Sequence, residues 1–210
     1  MLKLKAISMV FLLLAVFLFA GTVMASDPPP SEAEDLNDPE VQEALAIRYV
    51  AGETLTDEEE AAAIRYVTIV SVETVVSVVD IDPPDDVDSD TAADSNLSCK
   101  GQTVTLKHKN WARITQWTFI SDTEWCYDGT HIVGDPTWTV EGRPKTYLGW
   151  HYRGNKNSSE SGGDGETSHH DYVQGHFEFC VIRVGCTQSH YPTIEKWQYE
   201  DGTHRYKAKK

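Results

Sequence analysis

The chain has 210 residues with 33 acidic and 18 basic side chains, a net charge of −15. That balance offers no basic face of the kind a nucleic-acid-binding protein needs. The average hides a division into three stretches: residues 1–25 carry two lysines and no acid, residues 26–98 carry 20 of the 33 acids against Arg48 and Arg65, and all Cys, Trp and His lie beyond residue 98.

Lys3 and Lys5 precede an almost wholly apolar run from Ala6 to Ala20, and Val23-Met24-Ala25 places small residues at the −3 and −1 positions of a cleavage site. Residues 1–25 therefore read as a secretory signal peptide. An uncleaved anchor is the competing reading, because the run approaches the ~17–20 residues that span a bilayer. Export places the four cysteines in an oxidising compartment.

Residues 26–97 read as an acidic, partly helical segment that serves as a spacer, a pro-region or a partner-binding helix. Ala46-Ile47-Arg48-Tyr49-Val50 returns as Ala63-Ile64-Arg65-Tyr66-Val67. Each copy suits the end of an amphipathic helix, and Thr56 with Glu59 three residues on is a capping-box signature. From Thr68 to Ile81 two signals compete. Apolar residues at 64, 67, 72, 75, 76 and 79 fit a helical stripe, whereas the Val, Ile and Thr content favours a strand. The stripe predicts a helix. Asp85 to Ser95 reads as a disordered acidic linker.

Residues 98–210 form the β domain. Thr103–His108, Arg113–Ile120, Thr123–Tyr127, Thr137–Val140, Tyr147–Tyr152, Tyr172–Ile182 and Ile194–Tyr199 alternate as half-buried strands do. Gly154 to Ser168 is rich in Gly and Ser and reads as a mobile loop. Seven or eight short strands punctuated by turns predict an all-β fold, an antiparallel, immunoglobulin-like β-sandwich, with a small β-barrel as the alternative. Four cysteines allow three pairings. Local closure favours Cys99–Cys126 with Cys180–Cys186; a Cys126–Cys180 bridge between sheets is the rival.

Trp125-Cys126-Tyr127-Asp128-Gly129, Gly175-His176-Phe177-Glu178-Phe179-Cys180, Gly185-Cys186, Tyr191-Pro192 and Ile194 together resemble a pattern of small secreted bacterial proteins. These carry a Trp-Cys-Tyr-Asn-Gly strand end, a Gly-His-Phe-x-x-Cys strand and a Gly-Cys followed by Tyr-Pro. The resemblance spans roughly residues 99–204, and Asp128 stands where the pattern has Asn. It implies export and a β-rich fold, and no activity.

The densest titratable cluster is His169-His170-Asp171. In an extended chain the two histidines face opposite ways, and no zinc-type spacing occurs, so neither a metal nor a cofactor is expected. A secreted hydrolase with a site at these three residues is the alternative function. The aromatic complement points instead to binding. Trp111, Trp138, Trp150 and Tyr152, with His170, are the candidate ligand-binding residues, and such rings stack on sugars or fill protein pockets. Against this, Trp117, Trp125, Trp150 and Trp197 suit a core. The expectation is a secreted binding module whose partner is a protein or glycan at the cell exterior, with no nucleic acid and no membrane span after cleavage.

Overall fold

The computed structural model describes residues 35–83 and 97–210. The leader and the 85–95 linker lie outside the described residues. Among the described residues two α-helices come first, α1 (Pro39–Val50) and α2 (Asp57–Val67), followed by nine strands. Asp38 caps α1 by accepting from the backbone N–H groups of Glu40 and Val41, with Pro39 in the first turn. Thr56 and Glu59 close the capping box of α2 as their spacing predicts. The two copies of the repeated pentapeptide share the environment of their first two residues and differ after that, Tyr66 and Val67 being fully buried where Tyr49 and Val50 are half-buried. Ala46 and Ala63 are fully buried where the helices pack, and Ile47 and Ile64 are exposed.

The strands form two antiparallel sheets. The first is a meander of β1 (Ser71–Ile81), β2 (Ser98–Lys109), β3 (Thr115–Tyr127) and β4 (Ile132–Pro144). The second contains β5 (Trp150–Gly162), β6 (Ser168–Val181), β8 (Thr193–Tyr199) and β9 (His204–Lys209), with β7 (Gly185–His190) pairing the end of β6. This is the predicted all-β sandwich, without a closed barrel. Cys99–Cys126 joins β2 to β3, and Cys180–Cys186 closes the β6–β7 hairpin, so the local pairing is the correct one.

The described residues form one compact unit. Leu45, Ala63, Tyr66 and Val67 from the helices share a buried cluster with Trp117, Phe119, Leu148, Trp150, Phe177 and Phe179. The side-chain amide of Asn110 donates to the Tyr66 carbonyl at 2.9 Å and ties the end of α2 to the β2–β3 turn. The described part of the acidic segment thus builds the core that the later strands complete.

Two expectations are corrected. Thr68 to Ile81 is not helical: from Ser71 it is β1, an edge strand in register with β2 from Ser71↔Lys109 to Ile81↔Cys99. The apparent stripe borrowed residues 64 and 67 from α2, and β-branched content decides what remains. Gly154 to Ser168 is not mainly a loop. Most of it belongs to β5, paired with β6 through Gly162↔His169. Its residues beyond Arg153 are almost all exposed on both faces, and an alternation test has no signal where neither face is buried.

The sandwich interior is divided lengthwise. Stepping along the inward positions, Val104 gives way to Gln102 on β2, Phe119 to Ser121 and Thr123 on β3, Val173 to Asp171 and His169 on β6, and Ile194 to Lys196 and Gln198 on β8. All of these are buried. A polar layer therefore lies inside the molecule, with the main apolar cluster on one side and Trp125 further along β3.

Candidate functional site

Strict alternation along β6 places Ser168, His170, Tyr172, Gln174, His176 and Glu178 on the outer face, each half-buried, while every intervening residue is buried. The neighbouring strands add Glu195, Trp197 and Tyr199 from β8 and Arg205 and Lys207 from β9, by the registers His170↔Trp197↔Arg205 and Tyr172↔Glu195↔Lys207. The outer face of the second sheet is accordingly a continuous aromatic and charged surface on rigid strands.

Its contacts are ordered. The His170 ring stacks on Trp197 with centroids 5.0 Å apart, and the Arg205 guanidinium lies 4.5 Å from the Trp197 centroid. His176 stacks on Tyr191 at 4.7 Å, with the Lys156 ammonium 4.8 Å from the same ring. Glu195 lies 3.2 Å from His170 and 4.0 Å from Lys207. Glu178 accepts from Arg153 at 2.7 Å, and that hydrogen bond holds its carboxyl below the usual carboxylate range. Between β6, β8 and β9 a shallow hollow of about 330 Å³ is lined by Tyr172, Gln174, Tyr191, Thr193, Glu195 and Lys207, among others. Arg153, Lys156, Arg205, Lys207 and Lys209 outnumber Glu178 and Glu195, so the face is locally basic in an acidic chain.

The sequence-derived site residues do not converge. Trp111 is 40% exposed in the β2–β3 turn, but its indole N–H donates to Gln42 at 2.9 Å, so it fastens α1 to the sheet. The Trp138 indole donates to Ser121 at the rim of the interior. Trp150 is fully buried against Phe179 and Trp117, a core residue and not a surface one, because the first position of β5 faces the other sheet. Tyr152 is half-buried and covers Gly142 while packing on Phe177. Of the five, only His170 belongs to the outer face. Trp197, taken for core, is half-buried on that face. The face was legible in the parity of β6: once Val173, Phe177, Phe179 and Val181 turn inward, Tyr172, Gln174, His176 and Glu178 must turn outward.

The His169-His170-Asp171 cluster is split by the sheet. His169 and Asp171 point inward and are fully buried, and His170 points out. Burial lowers the His169 pKa, against the opposing pull of Asp171 and Glu160. Inside the polar layer, the Thr123 hydroxyl donates to Asp171 Oδ2 at 2.8 Å and accepts from Lys196 Nζ at 2.5 Å. Gln198 donates to Asp171 Oδ2 at 3.3 Å and to Gln102 at 3.0 Å. Burial pulls the Lys196 pKa down to about 8, although Asp171 and Asp122 draw it upward. Glu178, Cys180 and Cys186 bring three donor atoms within 4.8 Å of one another, but both sulfurs are joined in the disulfide and neither is a thiolate ligand. No described helix is long and apolar enough to cross a membrane.

Comparison with protein-family models, with curated proteins and with solved structures finds no match to this chain.

Proposed function

We propose that the chain is an exported binding module, and that the outer face of β6, β8 and β9 receives an acidic surface of a partner protein. The carrying observation is the way the aromatic rings on this face are held. Trp197 has His170 stacked on it and Arg205 over it, and Tyr191 has His176 and Lys156 in the same roles. Sugar recognition uses free ring faces, whereas these rings have neighbours on their faces and are presented among cations. Rigid aromatics beside arginine are the residues that dominate protein–protein contacts, and a locally basic patch attracts acidic partners and accelerates their encounter. Two disulfides are in keeping with an extracellular location, and so is the resemblance to secreted bacterial proteins.

The test is a binding comparison on the full exported chain. Immobilised protein is presented with extracellular proteins, peptidoglycan and polysaccharide from the producing cell. Retention of a protein ligand, weakening as salt rises, is expected. Trp197→Ala and Tyr172→Ala are each expected to weaken it by about tenfold or more. Thr105→Ala, on the outer face of the other sheet, should leave it unchanged. Retention only on glycan, or retention indifferent to both aromatic substitutions, refutes the assignment.

A further inference from the structure

The interior polar layer plays no part in surface binding, and its geometry calls for a separate account. Asp171 and Lys196 are Cα partners on β6 and β8, both pointing into the sandwich. Both side chains are fully buried, and Lys196 Nζ lies 3.6 Å from Asp171 Oδ1. As an ion pair the arrangement is poorly satisfied. Asp171 Oδ1 accepts no hydrogen bond among the described residues, and Lys196 donates one, to Thr123. A buried pair withstands its desolvation only when the remaining donors and lone pairs are engaged. The third member is better placed for chemistry than for satisfying charge. One hydroxyl, Thr123 Oγ1, touches the amine at 2.5 Å and the far carboxyl oxygen, Oδ2, at 2.8 Å.

We propose that Lys196 and Asp171 condense into an intramolecular amide that joins β6 to β8, with Thr123 relaying the proton. The pair reacts as neutral amine and carboxylic acid, which differ from the ion pair by one internal proton transfer. The Nζ lone pair attacks Cγ and forms the C–N bond. Nζ passes one proton to Thr123 Oγ1 as the Thr123 hydroxyl proton passes to Oδ2. The Cγ–Oδ2 bond then breaks and Oδ2 leaves as water, carrying that proton and the acid's own. Oδ1 remains as the amide carbonyl oxygen. No electron changes hands, and no cofactor or activated donor enters the balance.

Four features favour the step. Burial lowers the basicity of Lys196, so a fraction of the amine is neutral near neutral pH. The strand register fixes the reactants side by side, which replaces an encounter by an effective concentration far above any reached in solution. The product removes two charges from an interior that solvates them badly, and the closed site opposes the return of water. Gln198, donating to Oδ2, supports the leaving oxygen.

Peptide mapping of the reduced, purified full chain tests the proposal. Trypsin is expected to yield a branched peptide that joins the β6 segment containing Asp171 to the β8 segment containing Lys196, lighter than its two parts by one water and uncleaved after Lys196. Thr123→Val keeps the shape of the relay residue without its hydroxyl, and is expected to restore mostly linear peptides in freshly folded protein. Linear peptides from the wild type, cleaved normally after Lys196, overturn the proposal without recourse to any variant. So does a water loss that maps to Asp128-Gly129 or Asp201-Gly202, where Asp-Gly cyclisation gives the same mass change.

Discussion

His108 tests the physical reading of the core most directly. It sits on the inner face of β2, 1% exposed, opposite Trp117 on β3. Its ring lies 3.5 Å from Trp117 at an interplanar angle of 15°, and Trp117 lies 3.9 Å from Phe177 at 14°, so the three form one stacked column. Neither imidazole nitrogen has a hydrogen-bond partner among the described residues. Burial pushes the pKa down from 6.5 to about 3, with smaller contributions from His190 and Lys210. Between those values the unfolded chain binds a proton that the folded chain refuses, so stability rises with pH through this window and falls on acidification. At pH 4, two and a half units below the unfolded value, the loss is about 3 kcal/mol. That is a large share of the ~5–15 kcal/mol that typically separates folded from unfolded. His108→Phe keeps an aromatic ring in the column and sacrifices no hydrogen bond. Urea unfolding of both proteins, disulfides intact, at pH 7.5 and pH 4 isolates the effect, because His169 and His190, also lowered by burial, titrate in both. The variant is expected to be spared about 3 kcal/mol of the acid loss. Parallel losses in the two proteins would show that His108 is not held neutral by burial.

Two further substitutions probe the frame. Gly142 has ordinary φ, but a Cβ there would run into the Tyr152 ring. Gly142→Ala is therefore expected to cost on the order of 1–3 kcal/mol through overpacking, readable as a lowered unfolding midpoint, and a neutral outcome would mean that Tyr152 does not lie across β4. Replacing a disulfide by a serine pair separates the two staples by loop length. Cys99–Cys126 and Cys180–Cys186 are separated by 27 and 6 positions; counting both cysteines in each closed loop, chain entropy predicts losses of about 3.6 and 2.4 kcal/mol. Denaturant unfolding that ranks them in the opposite order would contradict the entropic account.

What the sequence disclosed depended on whether a residue's partner face was buried. Strand β6 was plain because its inward row of Val173, Phe177, Phe179 and Val181 alternates with polar neighbours, and the same alternation names the outer face at Tyr172 and His176. The capping box at Thr56 and both disulfides were legible because each is decided by residues close in the chain. Strand β1 and the part of β5 beyond Arg153 were hidden for one shared reason. They lie at sheet edges with little or no buried face, so their identity comes from hydrogen bonds to β2 and β6, which leave no periodic mark. The polar layer was hidden for a different reason. Gln102, Thr123, Asp171, Lys196 and Gln198 each look like a solvated residue interrupting an apolar row, and only the registration of four strands reveals that the interruptions coincide. One such residue is an exception that a strand tolerates on its exposed side. Five converging at the same depth between two sheets form an internal site, and a buried amine, hydroxyl and carboxyl aligned at 2.5 and 2.8 Å give that site a chemistry of its own.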